Sequence, residues 1–144
     1  MTIPLTTPQI RGTLHPRFDT ILTPDALAFI AQLDGAFAGR RAELLRTRRE
    51  RARRISAGED LGFLPDTAAI RADTSWRVAD PAPGLTRRLV EITGPATRTM
   101  TVNALNSGAD VWMADLEDAT APTWFNVIDS QLNVYDAIRG QADF

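Results

Sequence analysis

Asp110-Val111-Trp112-Met113-Ala114 is apolar on both sides of a pleat, and Asp115, Glu117 and Asp118 follow it directly. A short run of that kind is expected as a strand covered on both faces, as strands of parallel sheets are. Leu89-Val90-Glu91-Ile92-Thr93, ended by Gly94-Pro95, predicts an earlier strand. Between the two, residues 97–108 place Met100, Ala104 and Leu105 on one side of a helix. Residues 122–139 place Phe125, Ile128, Leu132, Tyr135 and Ile138 at helical spacing. The order from residue 88 is therefore strand, helix, strand, acidic turn, helix, which favours a parallel sheet with crossover helices. The 57 residues from 88 to 144 hold about two βα units, against roughly 250 residues for a closed eight-fold barrel. A sheet of two strands would leave edges and apolar faces open, so the chain is expected to show low folding cooperativity and to resemble the start of something larger.

The first 87 residues have a different texture. Thr23-Pro24-Asp25 is a strong helix start. Leu27, Ile30, Leu33 and Phe37 follow at helical spacing, while Gly35 and Gly39 interrupt the pattern and Gly58 stops it. A helical hairpin over 24–57 is the expectation, with a Pro- and Gly-rich connector over 58–87. The division is thus 1–87, helical with an extended connector, and 88–144, the α/β part.

The inventory of reactive side chains excludes many mechanisms. There is no Cys, the 16 basic residues are all Arg, and His15 is the only histidine. Thiolate catalysis, disulfides, Schiff bases and a P-loop Lys are ruled out, and a Ser-His-Asp arrangement is a poor fit. Carboxylate, Arg and metal chemistry remain. The net charge of −2 gives no overall attraction to nucleic acid or an anionic membrane. No apolar run suggests a membrane span, the first residues do not resemble a secretory signal, and a cytoplasmic location in a bacterium of Arg- and Ala-rich coding preference is expected.

Three carboxylates within four positions at the carboxyl end of a strand lie where α/β proteins bind ligands. If strand geometry continued past Ala114, Asp115 and Glu117 would share a face and Asp118 would point away. Two such carboxylates suit a hard cation such as Mg2+, directly or through its waters. Spacing alone also allows a solvated loop, or a helix start capped by Asp118.

The wider context resembles a known family. Phe63-Leu64-Pro65-Asp66-Thr67, Arg88 to Pro95, Val102-Asn103-Ala104-Leu105-Asn106-Ser107-Gly108, Met113 to Asp118 and Ala121-Pro122-Thr123-Trp124 together look like the N-terminal part of malate synthase of the A type. The similarity runs from about residue 14 onward and includes Gln131, Asn133 and Asp136-Ala137. Ala119 and Ser130 depart from the family's usual Ser and Gly. The resemblance implies an N-terminal α-helical clasp followed by the first strands of an incomplete (β/α)8 TIM barrel. It implies an acyltransferase that condenses acetyl-CoA with glyoxylate and water in the glyoxylate cycle. It assigns Asp115 and Glu117 to catalysis as acceptors from Mg2+-bound water, with Asp118 beside them, and turns Glu91, Arg98 and Thr99 toward acetyl-CoA. The family's catalytic Arg, direct metal carboxylates and Asp base fall beyond residue 144, so this chain alone is expected to be inert and to need the remainder of a malate synthase chain as its partner.

Two alternatives remain open at this level. The Asp115 to Ala119 run also resembles the β subunit of citrate lyase, although 87 residues precede the first strand here. A nucleic-acid-binding module is suggested by eight Arg within residues 40–54. The absence of interleaved aromatics and the apolar Leu44, Leu45 and Ile55 favour a solvated or ion-paired helix face instead.

Overall fold

A computed structural model describes residues 8–142, as five α-helices, one 3-10 turn and a two-stranded parallel sheet. The described residues divide into two compact units: 30–80, and 8–29 together with 81–142. No helix among the described residues is long and apolar enough to cross a membrane.

In the first unit, most of the length is helix α2, Pro24–Ser56, which begins in the second unit's segment. The Thr23 hydroxyl accepts from Ala26 N at 3.1 Å, with Pro24 at the first helical position and Asp25 in the first turn. The expected hairpin is a single helix of 33 residues. Gly35 and Gly39 each cost only about 1 kcal/mol relative to Ala, and good helix formers flank them, so neither breaks the run. The break comes at Gly58, whose φ of 99° supplies the left-handed cap while Glu59 N donates to Arg54 O at 3.0 Å. The connector then runs irregularly, except for a 3-10 turn Pro65–Thr67 and α3, Ala68–Ala72. This small helix is absent from the sequence reading, because five residues carry no periodic signal. No described residue from 30 to 80 is buried.

The second unit holds the core. Strand β1, Glu91–Gly94, pairs in parallel with β2, Val111–Ala114, in the register Glu91 to Val111 through Gly94 to Ala114. Helix α4, Arg98–Leu105, connects them, capped by the Thr97 hydroxyl. Helix α5, Trp124–Ile138, follows β2, capped by the Thr123 hydroxyl. Helix α4 buries Thr101, Val102 and Ala104, and α5 buries Ile128, Leu132, Asn133 and Asp136. These two helices touch each other. Asn133 Nδ2 also donates to Ala96 O at 3.0 Å, which ties α5 to the turn after β1.

The strand is not enclosed as its apolar sequence suggests. Met113 is 53% exposed, and Glu91 and Thr93 are exposed too. Side chains two apart share a face, so these residues define an open face of the sheet, while Ile92 and Trp112 lie on the other. Trp112 Nε1 is buried without an acceptor among the described residues.

Residues 8–29 belong with the sheet. The short helix α1, Phe18–Ile21, packs on α5, and Phe18 is only 1% exposed. His15 lies 4.9 Å from the Phe125 ring and 5.2 Å from Phe18, which makes it a packing residue. Trp124 Nε1 donates to Thr13 O at 2.8 Å, and a Cβ at Gly12 would run into the Trp124 indole.

Candidate functional site

The acidic turn stands at the carboxyl end of the parallel pair, because Asp115 N donates to Gly94 O at 2.9 Å just past the last paired residues. The strand ends at Ala114, and its alternation does not continue. Asp115 Oδ1 instead accepts from Glu117 N at 2.9 Å and from Asp118 N at 3.1 Å, which curls the chain over the carboxylate. Thr120 Oγ1 donates to Asp115 O at 2.8 Å and closes the turn from the far side. The turn brings Asp118 back against Asp115, whereas strand geometry would have separated them. The sequence-based expectation about which acids share a face is thereby corrected.

The two carboxyl groups are electrostatically coupled. Asp115 is held below the usual carboxylate range, first by a hydrogen bond from the Asp118 carboxyl and then by the backbone N–H groups of the turn. Asp118 is pushed up by that same bond and by the charge of Asp115, with Glu117 adding further repulsion. Asp118 is thus the weaker acid of the pair. Glu117 is exposed beside them.

Arg98 and Thr99 open α4 directly after β1, so they stand at the same end of the sheet as the acidic turn. Glu91 does not: it is the first residue of β1, paired with Val111, at the opposite end, and its nearest cation is Arg88 at 4.0 Å. A cleft of about 180 Å³ adjoins the turn, lined by Pro95, Thr97, Thr120, Asn126, Asp129 and Ser130 among others.

Arg98 is oriented by Asp136, which the sequence marks only as part of the family resemblance and not as an ion-pair partner. Asp136, 2% exposed, receives Arg17 Nη2 at 2.7 Å and Nη1 at 2.9 Å on its two oxygens, and Arg98 Nη1 lies 3.7 Å from Oδ2. The Arg17 hydrogen bonds hold Asp136 well below the usual carboxylate range against the opposing effect of burial, and the charges of Arg17 and Arg98 lower it further. Arg17 is raised by the same pair. No local pattern could have shown this, since 119 residues separate the partners.

Among the described residues, no group of three or more His, Asp or Glu side chains is disposed to hold a metal ion. Asp115 Oδ1 is already engaged by two backbone N–H groups. Asp115, Asp118 and Glu117 therefore do not form a complete inner ligand set. Crowded carboxylates of this kind do suit the role of acceptors from the waters of a hard cation, whose charge would relieve their repulsion.

A parallel βα pair with helical cover and acids at its carboxyl end defines an α/β protein with the ligand-binding end of its sheet exposed. Sequence comparison gives the family. Residues 7–69 match the malate synthase N-terminal domain. The chain is 57% identical over 129 residues to a malate synthase of Streptomyces clavuligerus, an alignment covering 90% of this chain and 24% of that protein. It is 48% identical over 135 residues to a malate synthase of Myxococcus xanthus, covering 94% and 25%. A glyoxysomal malate synthase of Brassica napus is 46% identical over 136 residues, covering 94% and 24%. These matches place the chain in the malate synthase family, and it spans about a quarter of the length of the curated relatives it matches.

Proposed function

We propose that the chain supplies the helical preface and first two βα units of a malate synthase, an acyltransferase joining acetyl-CoA to glyoxylate and water to give malate and CoA, in the cytoplasm of a bacterium. The observation that carries this reading is the acidic turn at the carboxyl end of a parallel pair whose helices α4 and α5 touch while its other face stays open. An open face bearing Met113, and the Trp112 N–H without an acceptor among the described residues, support the view that these strands belong to a larger (β/α)8 barrel.

In this reading Asp115 and Glu117 accept hydrogen bonds from the water shell of Mg2+. When bound, Mg2+ supplies charge that polarises the glyoxylate aldehyde. The protein's own contribution here is to hold the acceptors: two backbone N–H groups fix Asp115, with Asp118 beside it. Arg98 and Thr99 meet the CoA moiety from the start of α4, while Glu91, at the opposite end of β1, stands away from it. The chain by itself is inert, because malate formation needs an Arg and a carboxylate base that the remainder of a malate synthase chain provides.

Backbone NMR of the 144-residue chain tests this. Titration with CoA in the presence of Mg2+ is expected to shift the amides of Arg98, Thr99 and Asp115 to Asp118. Shifts confined to the Arg-rich part of α2, or no shifts, would count against the reading. Malate formed from acetyl-CoA and glyoxylate by this chain alone would overturn its inertness, and turnover of a malyl-CoA ester would favour an acyl-CoA lyase.

A further inference from the structure

The buried carboxylate of Asp136 faces two guanidinium groups and holds them unequally. Arg17 takes both oxygens, Nη2 on Oδ1 at 2.7 Å and Nη1 on Oδ2 at 2.9 Å. Arg98 Nη1 stands 3.7 Å from Oδ2, outside the range of a good hydrogen bond. Arg17 also has the larger part in keeping Asp136 ionised, ahead of Arg98. Two guanidinium groups on one carboxylate leave a positive charge in excess. Arg98 carries that excess to the carboxyl end of the sheet, where it opens α4 with its side chain 40% exposed.

Without Arg17 the same residues would close differently. A buried carboxylate stripped of two short hydrogen bonds draws in the nearest cation, and a planar guanidinium can take both oxygens. Arg98 is that cation, only roughly 1 Å beyond bonding distance. A bidentate Arg98–Asp136 pair would be neutral and would draw the Arg98 guanidinium toward α5.

The backbone at Arg17 points the same way. Its φ of 66° is left-handed, a conformation that a glycine adopts without strain. What a glycine lacks is the guanidinium. Backbone strain at a residue with a side chain persists where its contacts hold it, and here the contact is the pair on Asp136.

We propose that Arg17 is a positioning residue: by occupying both oxygens of Asp136 it keeps Arg98 from closing on that carboxylate, so that Arg98 presents its positive charge to an anionic ligand at the carboxyl end of the sheet. The inference rests on the reading in which Arg98 meets the CoA moiety, whose phosphates are the anions concerned.

Two measurements on the 144-residue chain separate the positioning from the reading beneath it. The first needs no ligand. The side-chain N–H signals of Arg98, assigned by their loss in R98K, report how fast its guanidinium exchanges with water. In R17M that exchange is expected to slow roughly tenfold as Arg98 closes on Asp136. R17K keeps the charge beside Asp136 but not the two-pronged fork, so it spares the fold and should give a smaller change of the same sign.

The second is a CoA titration read from the amides of Arg98 and Thr99. R17M is expected to weaken CoA roughly tenfold, and R17M with D136N to recover to within roughly threefold of the original. In an R98Q background R17M should cost no further affinity, although it still lowers the melting temperature there. A contact that only stabilised the fold would weaken CoA with or without Arg98, and that result overturns the proposal. So do Arg98 signals that both R17M and R17K leave unchanged. If those signals respond to R17M while CoA leaves the amides at 98 and 99 unmoved, the fault lies in the malate synthase reading of Arg98, and the proposal falls with it.

Discussion

Arg17 and Asp136 form a bidentate ion pair at 2.7 and 2.9 Å that joins the N-terminal segment to the last helix across 119 residues. Arg17 is the one non-glycine described residue with a positive φ, 66°, at the start of α1. A left-handed conformation costs a side-chain-bearing residue roughly 1–2 kcal/mol, and the pair on Asp136 opposes the relaxation of that turn. One contact thus fixes the entry to α1, the burial of Phe18 on α5 and the orientation of Arg98.

Removing Arg17 takes from the buried Asp136 its two short hydrogen bonds and leaves it the longer contact to Arg98 at 3.7 Å. R17M is therefore expected to lower the melting temperature of the second unit more than D136N does. The asparagine keeps shape and hydrogen bonding and leaves no buried charge behind. Thermal melts followed by near-ultraviolet circular dichroism check the order; equal effects would show that the charge is not what matters.

The same pair makes stability depend on pH with a definite sign. The Asp136 carboxyl is lowered in the folded state, so its contribution is complete above about pH 4, the ordinary unfolded value, and is lost as pH falls through the lower folded value. Asp118 is raised and acts in the opposite direction, favouring the protonated form and losing stability as pH rises through its folded value. In D136N the acid-side loss of stability below about pH 4 is expected to flatten, while D118N should leave the Asp136 contribution to that limb in place and slightly stabilise the chain at neutral pH. Urea denaturation over that pH series measures both.

How much of this was legible in the sequence depends on range. The order strand, helix, strand, acidic turn, helix is written in local periodicity, and the structure shows each element near its expected place, adding Thr97 and Thr123 as the caps of α4 and α5. Helix α2 was misdivided because Gly35 and Gly39 carry a small helical penalty that sequence alone does not weigh against their neighbours. The acids were misaligned because Asp115 accepts from the backbone two and three residues onward, which ends strand alternation at once. The Arg17–Asp136 pair and the Gly12–Trp124 contact had no local signal of any kind.

Gly12 lies against the indole of Trp124, whose Nε1 donates to Thr13 O at 2.8 Å. The ring is anchored by that bond and cannot swing aside as a flexible side chain would. Gly12→Val is expected to destabilise the second unit by about 1–3 kcal/mol, the usual cost of overpacking. Indole fluorescence should shift to the red as Trp124 is displaced, and a Trp124→Leu background should abolish most of the penalty.

The turn at Asp115 separates its two roles by substitution. Asp115→Asn retains an oxygen that can accept from Glu117 N and Asp118 N, whereas Asp115→Ala leaves both donors without it. Amide exchange at residues 117 and 118 is expected to be slower in D115N than in D115A, by roughly tenfold. Weak Mg2+ binding, read from the same amides, should fall in both variants, because the negative charge is lost in each. If D115N keeps the metal response of the unmodified chain, the carboxylate at 115 serves only to shape the turn, and its proposed contact with metal-bound water is wrong.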